Sequence, residues 1–279
     1  MTKESVKKID LEAVIKSKNP TLLKWLPRFV LSYLKKTIHQ DDINAGLEKY
    51  KNHYDFAFVN AILDEHIGVN IIIEGIENIP LQGGVVVASN HPLGGIDGLA
   101  LIKAVGTKRK DLKFIVNDIL GNLDNLKNLW LEVNKHGKNS KDSLDAIDTH
   151  YGSNQATLIF PAGLCSRRID GEIMDLQWRK SFVVKAKKYY LPIVPTYIEA
   201  KNSRFFYNLA FYRKKMGIKA NIEMLYLVDE MFKQKNQTIK ITFGKPINAS
   251  KFIQLDDFTA TEKIKEHVYK LAIDPHLEF

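Results

Sequence analysis

A chain of 279 residues with 45% apolar content suits one sizeable globular domain with a small appendage, and its composition excludes a disordered, collagenous or repeat-built protein. Its single cysteine, Cys165, excludes a disulfide framework and any multi-cysteine metal site, as expected of a reducing compartment. The 41 Lys and Arg against 32 Asp and Glu leave a net charge of +9, which either serves solubility or draws an anionic bilayer, an acidic carrier protein or nucleic acid.

The Met-Thr-Lys-Glu start lacks the apolar core of a secretory signal. No stretch reaches the roughly 18 uncharged apolar residues that a transmembrane helix needs. The chain is therefore expected to be soluble or to lie on a membrane surface, and the location expected is cytoplasmic, peripheral on the inner face of the cell membrane. Residues 21–36 carry apolar side chains at helical spacing, interleaved with Lys24, Arg28, Lys35 and Lys36, and Pro27 can open a helix. With Trp25, Phe29 and Tyr33, this basic amphipathic segment suits a membrane interface, or equally a helix packed on the domain. A second helical stretch spans 43–63, and the N-terminal helical, membrane-facing segment is placed at 1–66.

From 67 to 279 the texture is that of a second, larger domain. Short β-branched runs at 69–74, 84–89, 113–117, 157–160, 193–198 and 239–243 read as strands. Helical patterns lie between them at 97–106, 142–151 (with Ser140 as N-cap), 177–189 and 220–233. This alternation predicts an α/β domain whose mixed, largely parallel sheet is flanked by helices. In such sheets, sites form where loops leave the carboxyl ends of strands, which singles out the loops after Ser89 and Phe160.

The first loop runs Asn90-His91-Pro92-Leu93-Gly94-Gly95-Ile96-Asp97-Gly98. A histidine ending an internal strand can act as a general base, and a carboxylate on its other ring nitrogen would hold the tautomer. Gly94 and Gly95 allow the backbone to fold Asp97 back towards His91. Equally, Asp97 reads as the N-cap of the following helix and His91 as a structural histidine. The second loop runs Phe160-Pro161-Ala162-Gly163-Leu164-Cys165-Ser166-Arg167-Arg168. Gly163 permits close approach to a ligand, Ser166 offers a hydroxyl, and Arg167 and Arg168 offer forked donors for a phosphate or carboxylate. Cys165 reads as a thiol nucleophile served by His91 or as a small buried apolar residue.

Taken together, Asn90-His91-Pro92…Asp97-Gly98, Phe160-Pro161-Ala162-Gly163…Ser166-Arg167 and the later Leu191-Pro192-Ile193-Val194-Pro195 block resemble the lysophospholipid (glycerophospholipid) acyltransferase family, and within it the hemolysin-like branch linked to O-acylation of lyso-ornithine and related amino-acid lipids. The resemblance covers most of residues 20–250. It implies a glycerolipid acyltransferase-like fold over 67–279, with His91 as the base on the acceptor hydroxyl and Asp97 orienting it. Asn90, Gly94, Gly95, Phe160, Pro161, Gly163, Ser166 and Arg167 would form the substrate site. The donor implied is an acyl-CoA or acyl-ACP thioester used as co-substrate, with no cofactor and no metal. The partners implied are a lysolipid acceptor and an anionic membrane surface, with no nucleic acid.

Two positions depart from the family's pattern. Five residues separate His91 from Asp97 where the family usually has four, and Ala162 replaces a usual glutamate. The second favours an N-acyl amino-acid lipid as acceptor over glycerol-3-phosphate or lysophosphatidate. A same-fold alternative is a 1-acylglycerol-3-phosphate acyltransferase making phosphatidic acid. Alternatives from other classes are a lipid hydrolase or thioesterase using Cys165 or Ser166, and a basic peripheral membrane or nucleic-acid-binding protein.

Overall fold

In a computed structural model, which describes residues 8–117, 123–133 and 141–279, a seven-stranded sheet carries the chain. The expected Ser140 cap lies outside the described residues. Helices α1 (Leu11–Lys18), α2 (Pro20–Trp25), α3 (Arg28–Thr37), α4 (Gln40–Lys49) and α5 (Asp55–Asn60) precede the sheet, and α5 runs on into a π-helical stretch, Ala61–Ile67. The helix read across 21–36 is therefore two helices. Pro27, with φ −60° and ψ 147°, stands just before α3, because proline has no N–H to give and fits a helix only at its start.

The strands are β1 (Asn70–Glu74), β2 (Val85–Ser89), β3 (Leu112–Asn117), β4 (Trp130–Val133), β5 (Ala156–Ile159), β6 (Arg167–Ile169), β7 (Glu172–Met174), β8 (Ile193–Glu199) and β9 (Thr238–Phe243). In space the large sheet runs β1-β9-β8-β2-β5-β3-β4, while β6 and β7 pair apart from it as an antiparallel hairpin. Every neighbouring pair in the large sheet is parallel except β8 with β9. The expected mixed, largely parallel sheet is thus present. The remaining helices are α6 (Gly95–Gly106), α7 (Lys141–Tyr151), α8 (Ser181–Lys188), α9 (Arg204–Lys215), α10 (Leu227–Phe232) and α11 (Asp257–Lys270). Neither β4, the hairpin, α9 nor α11 was expected, and the helix read at 220–233 is a 3-10 segment, Ile222–Tyr226, followed by the short α10.

Strand alternation assigns β2 to two cores. Val85 and Val87 join the apolar cluster that holds α5, the π-helical stretch and α6, whereas Val86 and Ala88 join the cluster under α7, α8 and α11. All five residues of β2 are buried, as a central parallel strand requires. Phe58, Val59, Leu63 and Ile67 are buried in the first of these clusters, so the last part of the N-terminal segment is core to the sheet. Among the described residues no helix is long and apolar enough to cross a membrane.

Candidate active site

His91 stands two residues beyond the end of β2, with Asn90 between. The Asn90 amide is fully used: its Nδ2 donates to the Ile198 carbonyl at 3.0 Å and its Oδ1 accepts from the Ile198 N–H at 2.7 Å. It therefore extends the β2–β8 ladder with a side chain and fixes where the His91 loop leaves the sheet. At Gly94 the chain turns with φ +103° and ψ −128°, a conformation closed to side-chain-bearing residues, and α6 starts at Gly95. That turn absorbs the additional residue between His91 and Asp97.

Asp97 is not the N-cap of this helix but its third residue. From there its Oδ2 reaches back to the Leu93 N–H (2.8 Å), the Gly94 N–H (3.3 Å) and the His91 ring Nδ1 (3.1 Å). One carboxylate oxygen thus caps the helix and holds the imidazole. Asp97 is wholly buried and the His91 side chain is 16% exposed. A carboxylate on Nδ1 selects the tautomer protonated there and leaves Nε2 as the acceptor. Phe160 stacks on the imidazole, with ring centroids 4.0 Å apart and planes 17° from parallel, and sets the tilt of the ring.

The second loop is bolted to the first. The Ser166 N–H donates to the His91 carbonyl at 2.7 Å, and Asp175, at the foot of the β6–β7 hairpin, gathers both loops. Its Oδ1 accepts from the His91 N–H (3.1 Å) and from Ser166 Oγ (2.6 Å), and its Oδ2 accepts from Trp178 Nε1 (2.8 Å). Its own N–H donates to Tyr269 Oη at 2.7 Å. Burial raises the Asp175 carboxyl above the usual range, opposed by the Ser166 and Trp178 hydrogen bonds. Nothing in the sequence around Asp175 marked it. Its partners lie in segments as distant as His91, and an aspartate after a three-residue strand carries no local signal.

Arg167 sits elsewhere than a free anion clamp would. Its Nη2 pairs with the buried Glu223 carboxylate at 2.9 Å, its Nη1 donates to the Cys165 carbonyl at 2.7 Å, and the guanidinium lies over the Phe206 ring. Arg213 meets the same Glu223 at 2.7 Å, so two arginines balance one buried carboxylate. The fork expected to face a head group is spent on holding the hairpin to α9. Ser166 is likewise occupied, by Asp175. Cys165 is buried beside Phe206 and Tyr207, and burial pushes its thiol up to about 11, which disfavours the thiolate a nucleophile needs. Pro161 and Gly163 (φ +67°) shape the turn: the Pro161 carbonyl accepts from the Arg179 N–H, and the Arg179 guanidinium lies against Gly163. Ala162, in the place of the family's glutamate, is buried in the apolar cluster under α7, α8 and α11. Among the described residues no group of three or more His, Cys, Asp or Glu is placed to hold a metal ion.

A buried carboxylate holding a histidine at the carboxyl edge of a largely parallel sheet is an arrangement that can serve general base catalysis in a transferase or a hydrolase. The family model described as Acyltransferase matches residues 13–272, and the chain belongs to that family. It is 43% identical over 277 residues to the lyso-glycine lipid O-acyltransferase of Bacteroides thetaiotaomicron, covering 97% of this chain and 100% of the relative. It is also 43% identical over 277 residues to the enzyme of that name from Phocaeicola vulgatus, covering 97% and 98%. Among solved structures it is similar to the 1-acyl-sn-glycerophosphate (LPA) acyltransferase PlsC of Thermotoga maritima, at 15% identity and a TM-score of 0.46 over 93% of this chain and 91% of that one.

Proposed function

We propose that this acyltransferase moves a fatty acyl group from a thioester of coenzyme A or acyl carrier protein onto the hydroxyl of a lyso-glycine lipid, with His91 as the base. The observation that carries this reading is the His91 Nδ1–Asp97 Oδ2 contact of 3.1 Å at the end of the central strand. The 43% identity to two lyso-glycine lipid O-acyltransferases supports the choice of acceptor. An N-acylated glycine keeps its carboxylate and so is an anionic lipid.

In this reading His91 Nε2 takes the proton of the acceptor hydroxyl as its oxygen attacks the thioester carbonyl. The first-turn N–H groups of α6 at Gly95 and Ile96, which have no intrahelical acceptor, stabilise the oxyanion. The attack forms the C–O bond and the tetrahedral oxyanion; collapse re-forms the carbonyl and breaks C–S, and the imidazolium gives its proton to the leaving thiolate. Asp97 stabilises that imidazolium while it lasts.

The lipid is met at a membrane surface. Trp25 and Phe29 are 81% and 75% exposed on α2 and α3, with Lys24 and Arg28 beside them. Tyr33 of α3 bonds Tyr226 through their hydroxyls at 2.9 Å, which joins this face to the exposed Leu225 and to Phe205, whose ring packs on Tyr226. Exposed aromatic rings among cations suit an anionic bilayer on the inner face of a membrane.

The test is to incubate the purified protein with acyl-CoA or acyl-ACP and lyso-glycine lipid, lyso-ornithine lipid or lysophosphatidate, and to follow products by mass spectrometry. The reading expects transfer to lyso-glycine lipid that His91→Ala abolishes. Absence of transfer from both donors to all three acceptors, or undiminished transfer without His91, overturns it.

A further inference from the structure

Arg167 is spent on Glu223, and a cavity beside the His91 loop is lined by several further cations. β8 runs parallel to β2, so the turn that follows it leaves the sheet on the same edge as His91. That turn, Lys201 to Arg204, leads into α9 and, with Arg168 of the hairpin and Lys233, lines an open cavity of about 440 Å3. The turn also touches the catalytic loop: Asn202 is buried, and its Nδ2 donates to the Pro92 and Leu93 carbonyls at 3.3 and 3.4 Å.

The charge of this cavity is unbalanced. Its one carboxylate, Glu230, already accepts from the Ser203 N–H, Ser203 Oγ and Lys233 Nζ. Lys233 is further held by Asp229, and Arg168 gives one nitrogen to Asn208. The side chains of Lys201 and Arg204 are exposed and bond no described residue. Two uncommitted cations thus flank an amide anchored to the catalytic loop, in a concave site with room for a small head group.

We infer that this cavity is an anion subsite, which takes the carboxylate or phosphate of a substrate whose reacting group lies at His91. The inference rests on the reading of His91 as the transfer base, but its own ligand chemistry is separately measurable. A single anionic group suits Lys201 and Arg204 whether it is the carboxylate of an N-acyl amino-acid acceptor or a phosphate of the thioester donor. The position of Arg168 one residue after Arg167 explains how the hairpin serves two purposes. Arg167 turns in to Glu223, while Arg168, its neighbour on an antiparallel strand, faces the other way and reaches the cavity.

Two unreactive probes, N-dodecanoylglycine and coenzyme A, are titrated calorimetrically into the full-length protein and into Lys201→Ala/Arg204→Ala. Both side chains are exposed, so the variant's melting temperature should match the wild type, and Lys263→Ala on α11 controls for a change of net charge. The subsite requires the double variant to weaken one probe by at least about tenfold, the usual worth of a lost charge-assisted contact. Weakening of N-dodecanoylglycine assigns the acceptor carboxylate, and weakening of coenzyme A assigns the donor phosphate. In turnover the KM of the same substrate should rise by a similar factor. Binding of both probes unchanged in the double variant, or binding of neither by the wild type, overturns the subsite. A wild type that binds a probe through these cations yet transfers no acyl group would instead sink the transfer reading and leave the subsite standing.

Discussion

The main-chain N–H of His91 donates to the carboxylate of Asp175 at 3.1 Å, although 84 residues separate them. The same oxygen takes the Ser166 hydroxyl at 2.6 Å, so one buried side chain sets both motif loops in register. Asp175→Ala strands three donors and should lower stability by about 3 kcal/mol or more. As a positioning residue it should also lower kcat with little change in the KM for thioester. Asp175→Asn, which keeps the oxygen facing His91 and Ser166, should recover most of kcat. Thermal melts and steady-state kinetics on the pair check this, and an unchanged kcat in the alanine variant would remove Asp175 from the site.

The double use of Asp97 separates its two roles by substitution. Asp97→Asn can still accept the Leu93 N–H, so the helix start should survive with a loss of about 1 kcal/mol. Transfer should fall by roughly 100-fold or more, because the imidazolium loses its carboxylate. His91→Ala should be inactive and folded. Single-turnover assays beside circular dichroism would show whether activity and helix content part company in this way.

Cys165 offers a sharp test between transfer and hydrolysis. With its thiol buried and pushed up to about 11, Cys165→Ser should retain acyl transfer to within about fivefold. Loss of all activity, with a trapped acyl-enzyme in the wild type, would favour the covalent route.

Docking on lipid should depend on both rings and charge. Trp25→Ser/Phe29→Ser should weaken binding to phosphatidylglycerol vesicles by tenfold or more, since burying each ring is worth about 1.5–3 kcal/mol. Binding should also weaken as salt rises. Co-sedimentation that is insensitive to both changes would place the membrane face elsewhere.

Stability should fall with acidification below neutrality. His66, His150 and His267 are held below the ordinary histidine value, chiefly by burial. Lowered folded values mean that the unfolded chain takes up protons first, so the contribution is full above about 6.5 and is lost as the pH falls through the folded values. The melting temperature should therefore decline between pH 7 and pH 5. His150→Asn/His267→Asn should flatten that slope, whatever it does to the melting temperature at pH 7.

The strands that build the site were legible because their physics is local. β2, β5 and β8 are short, mainly apolar and β-branched runs that are almost wholly buried, which is what a doubly covered parallel sheet demands. The His91 and Asp97 pair was legible through its order on one loop, and the five-residue spacing needed only the Gly94 turn to close it. The hairpin β6–β7 was not: each strand has three residues, too few to show a period. Nor was the fate of Arg167, which depends on Glu223 arriving from 56 residues away. Composition and spacing thus determined six strands of the large sheet, the helices α6, α7 and α8 and the two motif loops, because those follow from contacts between near neighbours. Which polar groups remain free for substrate was decided only by tertiary structure: a buried charge must be matched by whatever partner the fold brings to it, here Glu223 for Arg167, whereas the exposed side chains of Lys201 and Arg204 pair with no described residue.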